Sequence, residues 1–172
     1  MANTRFSTAL HILVSLSADT STRVSSTSLA KQLGTNPVVV RRLVGHLEKA
    51  GLIETRRGYG GGISLKADPA STTLGQIADV IEADMTFELH SISDSTDSNQ
   101  LPSAIMTAIE AQRRELHTAS ITQLDRFTLE DVTHAATLRR DLAELVNQGM
   151  SDEDIRSNYR IDAGRLIPKN PI

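Results

Sequence analysis

The chain has 172 residues, with 18 Lys and Arg against 21 Asp and Glu and no cysteine or tryptophan. Without thiols it has no disulfide, no thiolate-held iron–sulfur cluster, no thiol redox switch and no cysteine nucleophile. The length allows one ordinary domain, or a small domain with an appended oligomerisation element; no apolar run is long enough to span a bilayer, and with only 3% aromatics the core must be aliphatic, which suits helices packed on helices.

The charge is unevenly spread. Residues 1–70 hold nine basic and four acidic residues, and residues 71–172 hold nine basic and seventeen acidic ones. A basic first part joined to an acidic remainder is what a chain needs if only its first part meets a polyanion. Residues 1–18 contain one basic residue, Arg5, and interrupted apolar positions, unlike a secretory signal. A cytoplasmic location is expected.

In chain order, Phe6, Ala9, Leu10, Leu13 and Leu16 repeat at helical spacing and predict a helix over residues 4–18. Ser25 is placed to cap a short second helix with Leu29, Ala30 and Leu33 inward, and Gly34 to stop it. Asn36-Pro37 is a helix start, predicting a third helix over 37–50 that ends at Gly51. Two helices joined by a tight, glycine-led turn are a helix-turn-helix. Residues 52–55 and 63–66 read as short strands around a tip with four glycines in positions 58–62. This hairpin is a wing, expected to be flexible at its tip.

A fourth helix is predicted over 73–83, with Leu74, Ile77, Ala78 and Ile81 buried, then a Ser-, Asp- and Thr-rich loop over 84–100. A long helix over 101–124 carries Ile105, Ala108, Ile109, Leu116 and Leu124 on one side. Thr128 to Val132 starts another helical turn. Beyond it lie at least two helices, one with the stripe Leu138, Leu142, Leu145 and Val146, the other opened by a capping box at Ser151 to Asp154. The domain expectation is a winged helix-turn-helix over 1–83, a loop over 84–100, a helical region over 101–133 and an extra helical tail over 134–172. The fold class is mainly α with a small β-hairpin.

On the third helix, Val40, Leu43, Val44 and Leu47 form the inward stripe. Val38, Arg42, Gly45, His46 and Lys49 then face outward, with Arg41 on the flank. Arginine can bond guanine through both its nitrogens, and valine methyls can meet thymine methyls. Recognition helices read bases mainly with their N-terminal residues, so Val38, Val39, Arg41 and Arg42 are the candidate base readers, and His46 and Lys49 candidate phosphate contacts. Arg56 and Arg57 stand at the base of the wing and Tyr59 within it. Arginine is drawn to a narrow minor groove, and the amides of Gly60 and Gly61 are candidates for phosphate. The blander readings are a solvated basic helix face and a plain hairpin loop. A phosphate-binding P-loop does not fit, because no helix with a Lys-Ser/Thr pair follows the glycines.

Three stretches resemble the Rrf2 family of bacterial winged-helix regulators, which includes the IscR, NsrR and CymR types. They are Thr35-Asn36-Pro37-Val38-Val39-Val40-Arg41-Arg42-Leu43, Gly51-Leu52-Ile53, and Arg57-Gly58-Tyr59-Gly60-Gly61-Gly62-Ile63-Ser64-Leu65. Thr73-Leu74-Gly75-Gln76-Ile77 resembles the helix after the wing. The resemblance covers about residues 3–133. It implies a homodimer joined through the long helix, hence through Ile105, Ala108, Ile109, Leu116 and Leu124, and a repressor bound to a partly palindromic operator in double-stranded DNA. It also implies the third helix in the major groove and the wing in the minor groove. Cluster-binding members carry three cysteines after the fourth helix. Here residues 85–100 have none, so no iron–sulfur cofactor is expected and the likeness is to the cluster-free, YwnA-like branch. The signal is then a small-molecule effector, a partner protein or another modification, a ligand sitting best between the winged part and the long helix.

Other sites carry less weight. Asp84, Glu88, His90, Asp94 and Asp97 lack a recognised metal-ligand spacing. His11 reads as a packing or surface residue, and no catalytic constellation is evident. The alternative function is a winged-helix module that binds protein without specific DNA recognition, motivated by the acidic second part and the long tail.

Overall fold

The computed structural model describes residues 4–81 and 101–169. Helix α1 (Thr4–Ala18) buries Ala9, Ile12, Leu13 and Leu16. Phe6 and Leu10 of the expected stripe lie only half-buried at its edges, while Ile12, outside that stripe, is fully enclosed. Helix α2 (Ser26–Gln32) starts where the Ser25 hydroxyl accepts the Ser28 N–H at 3.0 Å, and it buries Leu29 and Ala30. Gly34, at φ +59°, turns the chain into α3 (Pro37–Lys49).

The end of α3 is closed by backbone alone. Gly51, at φ +75°, gives its N–H to Glu48 O at 2.9 Å, and Leu52 gives its N–H to Leu47 O at 3.0 Å. This paired closure satisfies carbonyls the helix would otherwise leave open. It also corrects the strand expectation: Leu52 belongs to the helix cap, so β1 is Ile53–Arg56, paired antiparallel with β2 (Gly62–Leu65). Ile53 faces Leu65 and Arg56 faces Gly62. Val24 adds a third rung from the α1–α2 connection, exchanging two bonds with Ile63 at 3.0 and 2.9 Å.

Helix α4 (Leu74–Val80) opens with a reciprocal Thr73–Gln76 capping box, and the expected face of Leu74, Ile77, Ala78 and Ile81 is buried. The helix ends at Val80 with Ile81 as its cap, short of the expected 83, and the expected loop over 84–100 lies outside the described residues. Helix α5 (Leu101–Leu124) has the predicted bounds. It joins the body near its C-terminal end, where Ile121 and Leu124 pack against the core.

Helix α6 (Leu129–Asn147) starts at a Thr128–Asp131 capping box and lies along α1. It is one unbroken helix through position 134. The α5–α6 turn is stitched to the segment before α4: Leu74 N–H bonds Phe127 O at 2.9 Å, and Leu129 N–H bonds Thr72 O at 2.8 Å. Leu129 is completely buried, so these bonds surround a packed point.

The all-helical tail expectation is corrected. After α7 (Asp152–Asn158) the chain forms a second hairpin, β3 (Tyr159–Asp162) and β4 (Arg165–Pro168). The two residues between its strands, Ala163 and Gly164, both have positive φ, 44° and 69°, which is the tight turn matched to strand twist. The hairpin packs on α6 through β4. Asp141 of α6 accepts the Leu166 N–H at 3.3 Å and pairs with Arg165 at 3.6 Å and Arg140 at 3.1 Å. The opening of α7 is as expected on one side: Ser151 Oγ accepts the Asp154 N–H at 3.2 Å, while the Asp154 carboxylate takes the Ser151 hydroxyl.

Candidate nucleic-acid interface

The first turn of α3 is fixed by Asn36, whose side chain accepts the Val38 N–H at 2.8 Å, with Pro37 at the first helical position. Val40, Leu43, Val44 and Leu47 are buried as the spacing predicts. That rotation leaves Val38 and Val39 62% and 45% exposed, beside exposed Arg41 and Arg42. Lys49 is exposed at the far end. A Cβ at Gly45 would meet nothing within 4 Å, so the helix face is open there. His46 departs from the expected outward face. It is half-buried, and its Nδ1 is shielded from water without a hydrogen-bond partner.

The wing tip is shaped rather than slack. Gly61 N–H bonds Gly58 O at 2.9 Å, closing a turn in which Gly58 and Gly60 take φ of +92° and +73°. Side chains rarely adopt that backbone. A Cβ on Gly61 would lie 2.3 Å from Arg56 O. Two expectations change: the tip is a defined turn, and the Gly61 amide is spent inside it rather than offered to phosphate. Gly60 and Tyr59 stay at the exposed tip, Tyr59 fully so, with Arg56 and Arg57 exposed at its base.

Two carboxylates brace the wing. Glu48, on the last turn of α3, accepts the Thr55 N–H at 3.1 Å and its hydroxyl at 2.5 Å, tying β1 to α3. Glu54 pairs with Arg23 and accepts the Ser64 hydroxyl at 3.2 Å. The Arg23 hydrogen bond, then that of Ser64, hold the Glu54 carboxyl below its ordinary range. The other two acids of the basic part serve turns: Asp19 takes Ser21 and Thr22, and Asp68 takes Ser71 and the Ala70 N–H. So all four acids of residues 1–70 are engaged locally. Among the described residues no ion pair joins Arg41, Arg42, Lys49 or Arg57. The result is a cationic strip from α3 to the wing, in which Glu54 is paired with Arg23 and the other three carboxylates are occupied by neutral hydroxyl and amide donors.

On α5, Ile105 and Leu116 are 48% and 52% exposed, Ala108 is exposed and Ile109 half-buried, forming one side of the helix. Leu124 does not share that side. It turns about a quarter-circle away and packs into its own core, so it leaves the candidate dimer set. Sequence reasoning missed Arg23, Glu48 and Glu54. Arg23 and Glu54 lie 31 positions apart, beyond any periodicity signal.

The acids and histidine over 84–97 lie outside the described residues, and among the described residues no group of three or more His, Asp or Glu could hold a metal. No described helix is long and apolar enough to cross a membrane.

Residues 2–135 match the Rrf2 family, described as iron-dependent transcriptional regulator. The chain does not fit a thiolate-held cluster, since it has no cysteine to ligate one. Over 77 residues it is 44% identical to YwnA of Bacillus subtilis strain 168, which bears the name of an HTH-type transcriptional regulator. That match spans 45% of this chain and 56% of YwnA, so little more than half of the relative's length. The structure of CymR, the global cysteine regulator of B. subtilis, superposes with a TM-score of 0.54 at 25% identity, covering 77% of this chain and 95% of CymR. IscR of T. potens shares the fold at 20% identity, with a TM-score of 0.53 over 88% of this chain and 93% of that one. The winged helix-turn-helix, the long helix that follows it and the match over residues 2–135 together make this chain a member of the Rrf2 family of transcriptional regulators, a family of regulators and not of enzymes.

Proposed function

We propose that the protein represses transcription by binding a palindromic operator in double-stranded DNA as a homodimer. In this reading residues 1–83 bind DNA, residues 101–133 dimerise, and residues 134–172 are an addition that continues α6 and carries α7 and the second hairpin. Helix α3 enters the major groove with Val38, Val39, Arg41 and Arg42 at the bases. Lys49 reaches phosphate, with His46 beside it, and Arg56, Arg57, Tyr59 and Gly60 of the wing reach the minor groove. The single observation behind this is the exposed cationic strip joining α3 to a glycine-tipped wing, with Arg41, Arg42, Lys49 and Arg57 outside any ion pair among the described residues and its acids all engaged internally. Such a strip releases condensed counterions when it meets phosphates, which drives association. The exposed side of α5, through Ile105, Ala108, Ile109 and Leu116, supports the dimer. The protein then acts in the cytoplasm, and its signal is a small-molecule effector or a partner protein rather than an iron–sulfur cluster.

Selection from a pool of random duplexes with the purified chain tests this. Enrichment of an inverted repeat with half-sites about one helical turn apart is expected. On the enriched duplex Arg42→Ala is expected to weaken binding by about 1–3 kcal/mol and relax preference at one base pair. Unchanged affinity and preference in Arg42→Ala would remove Arg42 from the base readers. Failure to enrich any sequence at low salt would favour a protein-binding module.

A further inference from the structure

Two arginines compete for one carboxylate at the foot of the wing. Glu54 Oε1 pairs with Arg23 and also lies 3.8 Å from Arg56 Nη2, the outer limit of an ion pair. The two cations differ in freedom. The Arg23 side chain is 20% exposed, and that of Arg56 is 68% exposed. Arg23 is also held by its surroundings. Its neighbour Val24 is bonded twice to Ile63, its Nη1 bonds Gly62 O at 3.5 Å, and a Cβ on Gly62 would press to 3.0 Å from Arg23 Cβ. The half-buried arginine therefore takes the carboxylate, and the exposed one is left at its margin.

We infer that Arg23 is a positioning residue for DNA binding: by occupying Glu54 it keeps that carboxylate from capturing Arg56, so the wing presents the Arg56 guanidinium to the minor groove and the phosphates that flank it. Without Arg23, Glu54 would be an unneutralised, partly exposed anion beside the wing. It would repel phosphate and draw in Arg56, the nearest remaining cation, because opposed charges at about 4 Å attract even near a protein surface. The inference rests on the DNA-binding reading above and adds to it a residue that need not touch DNA.

The test uses the full chain and the enriched duplex, titrated over a salt series. Arg23→Gln is expected to lower affinity about fivefold and to make the slope of log K against log salt shallower by about 0.9, the loss of one phosphate contact. Glu54→Gln, which removes the competing anion, should bind at least as tightly as the parent, and the double variant Arg23→Gln/Glu54→Gln should regain the parental slope. Arg56→Ala should weaken the parent but change the Arg23→Gln protein little, since there Arg56 is already withdrawn. A merely structural wing anchor would not show this rescue, because the double variant lacks the Arg23–Glu54 link as well. If the double variant stays as weak as Arg23→Gln, or Arg56→Ala weakens both backgrounds equally, the inference is overturned while the DNA reading stands. If the parent binds no duplex at all, the DNA reading falls and takes the inference with it.

Discussion

At Gly61 the wing depends on a missing atom. A methyl group there would collide with the Arg56 carbonyl at 2.3 Å, and that collision is with backbone, which cannot swing aside. Gly61→Ala is therefore expected to reshape the tip and weaken duplex binding by roughly 1–3 kcal/mol, with a fall in melting temperature. Tyr59→Ala is the counterpart. Tyr59 is fully exposed, so its loss should leave thermal stability within about 0.5 kcal/mol while duplex affinity falls. Melting curves and duplex titrations on both proteins separate the two effects, and a Tyr59→Ala protein with parental affinity would take Tyr59 out of the interface. The glycines of the tip are visible in the sequence. Which of them supplies a turn, and which makes room for a neighbour, depends on where Arg56 and Arg23 come to rest.

At the scale of elements, the α5–α6 turn is joined to the start of α4 by backbone and side-chain hydrogen bonds. Asp125 Oδ1 takes the Thr73 hydroxyl at 2.6 Å and lies 2.1 Å from where a Gly75 Cβ would sit. Gly75→Ala should lower stability by about 1–3 kcal/mol through overpacking, and adding Asp125→Ala should return part of it. If the second change deepens the loss instead, Asp125 is not the group that meets the new methyl. Thr128→Ala removes the capping box of α6 and should lower stability by about 1 kcal/mol in a denaturant titration. The caps at Ser25 and Asn36 were legible because caps are local, whereas Thr73 and Thr128, read as helix starts, prove to be the N-caps of α4 and α6. The Thr73–Asp125 bond spans 52 positions and left no periodic trace.

For the whole molecule, two faces carry the consequences. In the proposed dimer, Leu116→Glu buries a charge in an apolar seam, so sedimentation should show monomers and the preference for an inverted repeat should weaken. A dimer that survives would move the seam elsewhere. The added hairpin is clasped to α6 by Asp141. Burial pushes the Asp141 carboxyl up, but Arg140, the Leu166 N–H and Arg165 outweigh it, leaving the group below its ordinary value of 3.8. The folded state thus binds this proton less readily than the unfolded chain does. The clasp contributes fully above 3.8 and is lost as pH falls through the lower folded value. Melts from about pH 6 down to about pH 3 should show the parent losing its advantage over Asp141→Asn as acid is added. An advantage that persists through that range would mean that Asp141 is not the group titrating.

The sequence by itself determined the helix-turn-helix, the presence and place of the wing, the bounds of α5 and the inward faces of α3 and α4, because each rests on spacing and caps within a few residues. It also excluded a thiolate cluster, since composition alone decides that. Only the tertiary structure decided that Leu124 faces its own core, that the Gly61 amide is spent within the tip, and that residues 159–168 form a hairpin on α6 rather than helix. It alone brought Arg23 to Glu54. The side of Leu124 and the Arg23–Glu54 pair are matters of which distant segments meet, and a helical pattern gives the side a residue faces but not what the chain places against it; the Gly61 turn and the second hairpin rest on backbone dihedrals that residue spacing does not report.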